Sequence, residues 1–129
     1  MTIPDDRLYS RQHEWCRFED DHAVLGITPY AIRGMGQLVC LELPEAGDDL
    51  LHDVAYAEIE GMRKTCSVFS LIDGVVLEIN GRVAHNPDLL TKDPFGEGWM
   101  IKVRLISDAH SGETLTAEQY RQVIGKKGR

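Results

Sequence analysis

VAYAEIEGMRKTCSVFSLIDGVVLEIN, residues 54–80, holds three short apolar runs, VAYAEIE, CSVFSLI and GVVLEI, parted by the turn clusters GMRKT and DG. Runs of this length bounded by Gly and Asp read as β-strands. Glycine supplies positive φ and Asp bonds its own backbone, so each break turns the chain back on itself. Outward from this stretch the rhythm continues in QLVCLEL at 37–43, HAVLGI at 22–27 and WMIKVRL at 99–105, with PEAGDD at 44–49 as a further turn cluster. A succession of short strands from Trp15 to about Leu105 predicts a mainly β sandwich or barrel. A weak two-fold echo surrounds EIEGM at 58–62, with similar strand-turn-strand blocks on either side.

Three departures from that rhythm are legible. Thr28 as cap and Pro29 as first helical residue, followed by YAIRGMG, predict one short helical turn. In AHNPDLLTKDPFGEG, 84–98, Asn86 is read as the cap of a turn begun by Pro87, and Pro94 with two glycines predicts an ordered surface loop. In SGETLTAEQYRQVIG, 111–125, the period lengthens: Leu115, Tyr120, Val123 and Ile124 share one helical face, with Thr116 as cap and Gly125 as stop. The C-terminal helix is placed at about 116–124, within a single domain spanning 1–129 whose core lies at about 15–105.

With 43% hydrophobic and 27% charged residues, the 129-residue chain can bury a core. Its net charge of -7 argues against nucleic acid, because phosphate contacts need clustered Lys and Arg. Only the tail Lys126-Lys127-Gly128-Arg129 is basic, and it reads as a solvated end. No apolar run approaches the roughly 18 residues of a membrane span. The polar N-terminus lacks a secretory h-region, so the expected compartment is the cytoplasm. Cys16, Cys40 and Cys66 form no CxxC pair, and His13, His22, His52, His85 and His110 have no metal-site spacing and read as scattered surface residues. No nucleophile elbow, phosphate loop or acid pair is present, so no enzymatic activity is expected.

HEW at 13–15, GITPYA at 26–31, LELPEAG at 41–47, the hairpin Glu60–Arg63, VFSLIDGVVLEIN at 68–80, NPDLL at 86–90 and DPFGEGWMIKV at 93–103 together resemble the H protein of the glycine cleavage system. The resemblance runs colinearly over about nine-tenths of the chain. It implies a lipoyl/biotinyl-type hammerhead: two small antiparallel sheets in a barrel-sandwich, with short helical turns and a C-terminal helix. It also implies a carrier rather than a catalyst, whose hairpin lysine bears lipoic acid in amide linkage. The implied partners are glycine decarboxylase, an aminomethyltransferase and dihydrolipoamide dehydrogenase, between which an aminomethyl group passes, and a lipoate ligase-type enzyme that installs the arm. Tethering raises the effective concentration of the reactive sulfur at each partner.

One position departs from that pattern. Glu60, Gly61 and Met62 lead to Arg63, and Val68, Phe69, Ser70 and Gly74 fix the spacing downstream, with Leu71 where the family has proline. Both flanks put Arg63 in the lysine's place. A guanidinium stays protonated and delocalised at any cellular pH, so it cannot form the amide. Lys64, the next residue, is an amine on the same turn and the alternative attachment point. Three readings stay open: an arm at Lys64, a lysine replaced by design with Arg63, or a diverged paralogue that binds H-protein partners or a lipoate-processing enzyme without cargo.

The resemblance also locates a pocket for the arm and its cargo near HEW. Glu14 is retained, but Gln12 stands where a small hydroxyl residue is common and Ser67 where an acid is usual. An ammonium-bearing cargo thus loses one counter-charge. Cys66 lies three residues beyond Arg63, where the two nearby cations would favour its thiolate if it is exposed. With Ser67, that thiol supports an alternative role in sulfur oxidation; the plainer reading is a small residue starting a strand. Cys40, between Val39 and Leu41, is expected to pack inside.

Overall fold

In the computed structural model, which describes residues 2–106 and 114–127, the six apolar runs supply six of nine strands in two antiparallel sheets. The strands are β1 (Leu8–Tyr9), β2 (Glu14–Glu19), β3 (His22–Ile27), β4 (Leu38–Glu42), β5 (Asp49–Leu50), β6 (Ala55–Gly61), β7 (Thr65–Phe69), β8 (Gly74–Ile79) and β9 (Ile101–Leu105). One sheet has six strands in the order β1-β2-β3-β9-β8-β5, and the other has three in the order β4-β6-β7. This is the mainly β architecture that the strand rhythm predicted and the two-sheet hammerhead that the resemblance implied.

Strand alternation, shifted by a bulge between Ala55 and Ala57, sets which residues close the main core. Tyr56, Ile59 and Val68 from the small sheet face Leu25, Val76, Ile101 and Val103 from the large one, all buried. A second cluster gathers Ile3, Tyr9, Trp15, Val24, Leu115, Ala117 and Tyr120, so packing extends beyond residues 15–105. Helix α3, Ala117–Lys127, closes that cluster: Tyr9 and Tyr120 stack with ring centroids 4.8 Å apart.

Local caps decide several boundaries. Thr28 Oγ1 accepts from Tyr30 N–H at 3.3 Å and opens the 3-10 turn Pro29–Ile32, as its sequence predicts. Thr116 Oγ1 accepts from Gln119 N–H at 3.2 Å while Gln119 Oε1 accepts from Thr116 N–H at 2.9 Å, a reciprocal capping box. Gly125 does not stop the helix, which runs on to Lys127. A terminating glycine needs the left-handed backbone, and Gly125 is not in it.

Two further expectations are corrected. β7 ends at Phe69 rather than continuing through Ile72, because Ser70 Oγ donates to Ile72 O at 2.6 Å and accepts from Ile72 N–H at 3.1 Å, folding a tight local turn. The stretch 84–98 is not simply loop: α1 (Gly81–His85) runs into it and α2 (Leu89–Lys92) lies within it. Asn80, not Asn86, supplies the side-chain cap there: its Oδ1 accepts from Arg82 N–H at 3.1 Å, and its Nδ2 donates to the carbonyls of Glu97 and Trp99. Asn86 instead ends α1, its N–H bonded to Arg82 O.

Candidate functional site

The hairpin joining β6 and β7 turns on Met62 and Arg63, with Gly61 N–H donating to Lys64 O at 2.9 Å below them. The turn does not wave freely. Met62 N–H donates to Gln37 O and Arg63 N–H to Met35 O, each at 2.9 Å, which seats the tip on the loop after the 3-10 turn. Gly61 permits this seating: a Cβ there would lie 2.5 Å from Met35 O. Gly36, at φ +74°, gives way to the stem of Arg63, whose Cγ would be 3.2 Å from an added Cβ.

Met62, Arg63 and Lys64 are all exposed. Arg63 occupies the tip of the turn, and its guanidinium does not fit an amide-linked lipoyl group. Lys64 chemically fits one: it is the single amine in the turn and has no carboxylate partner among the described residues.

Glu14 stands at the opposite extreme of exposure. It is 4% exposed, and both carboxylate oxygens are engaged: Oε1 accepts from Ser10 Oγ and Oε2 from Phe69 N–H, each at 2.7 Å. Burial raises its pKa, partly offset by those two hydrogen bonds and reinforced by the charge of Asp53. The carboxylate therefore joins the HEW segment to the end of β7. It also borders a pocket of about 170 Å³ with Ser10, Arg11, Gln12, His52, Asp53 and Leu71. The structure thus brings Gln12 and Glu14 together. Ser67 is exposed on β7 opposite Glu58 and does not line this pocket.

The cysteines depart from expectation. Burial, followed by the charge of Glu14, pushes the Cys66 thiol up, with Lys64 acting weakly against them. That direction is the reverse of the thiolate the neighbouring cations were expected to favour. Cys40 is exposed rather than packed inside. A bulge between Leu38 and Cys40 turns both Val39 and Cys40 outward before Leu41 returns to the core. Cys16 is buried and its thiol is pushed up to about 12.

Among the histidines, His13 is not a surface residue. It is half-buried at φ +70°, with Nδ1 2.7 Å from Tyr120 Oη, and Tyr120 Oη is 2.6 Å from Thr28 Oγ1. The HEW segment, the 3-10 turn and α3 meet at this buried phenol. Sequence periodicity gives no signal for a contact between positions so far apart. His110 lies outside the described residues. Among the described residues, no group of three or more His, Cys, Asp or Glu could hold a metal ion, and no helix is long and apolar enough to cross a membrane.

Known proteins match this arrangement over nearly its whole length. The family model described as glycine cleavage H-protein matches residues 7–127. The glycine cleavage system H protein of Carboxydothermus hydrogenoformans is 33% identical over 127 residues, covering 98% of each chain. That of Gloeobacter violaceus is 38% identical over 125 residues, covering 96% of this chain and 97% of the relative. The crystal structure of a glycine cleavage system H protein from Mycobacterium marinum superposes with a TM-score of 0.86 at 29% identity, covering 98% of this chain and 100% of that one. Sequence and fold therefore agree: the chain belongs to the glycine cleavage H-protein family.

Proposed function

We propose that this chain serves glycine cleavage as a cytoplasmic carrier, not a catalyst, and that Lys64 bears the lipoyl amide that Arg63 cannot form. The observation behind this reading is a free, exposed amine on the very turn that the family uses for attachment. Lipoate, once linked, supplies a dithiol that can be loaded and reoxidised. The chain's own part is positional. Main-chain bonds from Met62 and Arg63 hold the turn against Gln37 and Met35, so the attachment point is presented at a fixed height to glycine decarboxylase, the aminomethyltransferase and dihydrolipoamide dehydrogenase in turn. A lipoate ligase-type enzyme installs the arm.

Intact mass and peptide mapping after expression with a lipoylating system test this directly. One lipoyl group mapped to Lys64, lost in Lys64→Arg and kept in Arg63→Ala, is the expected result. An unmodified chain whose Arg63→Lys variant takes up the group would overturn it.

A second reading is favoured by the turn's own geometry. Arg63, not Lys64, is at the tip, and consecutive side chains leave an extended backbone on opposite faces. Under that reading the chain binds the same partners without cargo. Complex formation by the unmodified chain supports it, and no detectable complex counts against it.

A further inference from the structure

The pocket at the HEW segment holds two carboxylates of unequal standing. Glu14 is 4% exposed, and each of its oxygens already accepts a bond, one from Ser10 Oγ and one from Phe69 N–H. Asp53, on the connection between β5 and β6, lines the same pocket with its side chain 77% exposed, its carboxylate 3.3 Å from His52 Nε2.

The main chain fixes where the Asp53 carboxylate stands. His52 N–H donates to Asp73 Oδ1 at 2.8 Å and Asp53 N–H to Ser70 O at 2.9 Å, which ties both residues to the segment that follows β7. Asp53 has φ +65°, in the left-handed region where glycine is the default. Among residues with a Cβ, Asn and Asp adopt it most readily. The backbone thus accepts a short polar side chain here but does not ask for a charge. That charge is nevertheless felt inside the pocket: burial raises the Glu14 pKa, and Asp53 adds to the rise. Arg11 and His52 complete the ionisable lining, and Arg11 repels a cation from its own side. Among the described residues, no three of these groups converge as metal ligands, so the negative wall suits an organic cation.

We propose that Asp53, rather than Glu14, selects an ammonium-bearing cargo, supplying the accessible counter-charge that Ser67, outside this pocket, does not. The inference rests on the carrier reading above, in which an aminomethyl cargo comes to rest against the chain. β7 leads from the hairpin to the pocket, beginning beside Lys64 and ending at Phe69, whose N–H bonds Glu14. An ammonium at Asp53 leaves both Glu14 bonds in place, whereas one at Glu14 crowds two donors already seated there. Glu14 is then the joint of the pocket and Asp53 its specificity-determining group.

The test needs no arm. Isotope-labelled, unmodified protein is titrated with S-methylcysteamine, a thioether bearing a primary ammonium at neutral pH, and with its alcohol analogue, in which a hydroxyl replaces the ammonium. Both titrations are followed by NMR. The ammonium compound should shift the amides of Gln12, His52 and Asp53 saturably and bind about fivefold more tightly than the alcohol, the discrimination that one exposed ion pair supplies. Asp53→Asn, which the backbone accepts, should abolish that preference, and Glu14→Gln should keep it; Asp53→Asn alone decides if Glu14→Gln does not fold. A preference that survives Asp53→Asn or is lost in Glu14→Gln would overturn the inference, as would the absence of saturable binding by the ammonium compound. Failure of Lys64 to take up lipoate shows in the peptide map and leaves this preference untouched, so the two readings fail separately.

Discussion

Glu14, beside the HEW segment, and Arg63, at the tip of the β6–β7 hairpin, are wired into the fold in opposite ways. Glu14 is sealed in and holds two segments together through Ser10 and Phe69 N–H. Arg63 is anchored by its N–H to Met35 O, its stem passes Gly36, and its side chain is exposed. The hydrogen bond at position 63 therefore comes from the main chain, and the side chain adds only the contact of its stem with Gly36. A change of residue at the hairpin tip costs folding almost nothing, whereas a change at Glu14 breaks a joint. Functional chemistry can be altered on the exposed side while the buried side keeps the architecture intact.

The sharpest way to break this contrast is Glu14→Ala. It leaves the Ser10 hydroxyl and Phe69 N–H without their buried acceptor and is expected to cost about 2–3 kcal/mol, read from urea unfolding midpoints. Gly61→Ala tests how the hairpin is seated. Its Cβ would press on Met35 O, so the hairpin must lift from the 35–37 loop, at about 1–3 kcal/mol, with weakened amide protection at Met62 and Arg63.

The pH dependence of Glu14 follows from the direction of its shift. Its folded pKa lies above the unfolded value, so the folded state holds the proton more tightly. Its effect on stability is most favourable below the unfolded carboxylate value and declines as pH rises through that value to the raised folded one. Asp6, lowered by its hydrogen bond to Arg7, acts in the opposite sense and loses its contribution as pH falls. Unfolding midpoints across this range should show a slope in the native chain that changes in Glu14→Gln, and an unchanged slope would refute the assignment. The smallest effect is predicted for Arg63→Lys: a stability within about 0.5 kcal/mol of the parent, despite the gain of an acylatable amine.

The strand framework was legible because short apolar runs bounded by turn residues survive in a single sequence: GVVLEI at 74–79 coincides with β8 and HAVLGI with β3. The N-cap at Thr116 and the turn at Thr28 were legible because their partners lie within three residues. Features set by distant partners were not. α1 is too short to show a period, and it is fixed by Asn80 reaching the carbonyls of Glu97 and Trp99. The bulge that turns Cys40 outward leaves no mark in the composition of its run. At the site, Arg63 and Lys64 could be placed on the hairpin from their flanks. The engagement of both Glu14 oxygens could not, since Phe69 lies 55 positions away in the chain.

Trp15, the third residue of HEW, donates from Nε1 to the carbonyls of Ile27 and Pro94, under the Arg7 guanidinium 4.5 Å from its ring. It is 1% exposed, while Trp99 is half-buried on β9's approach. With only these two tryptophans in the chain, the molecule carries two optical labels of different colour, one sealed and emitting to the blue, the other touching water. The blue component belongs to the second cluster, where the N-terminal segment and α3 meet. Light alone can therefore follow that end of the protein coming apart while the hairpin end is being titrated, acylated or bound.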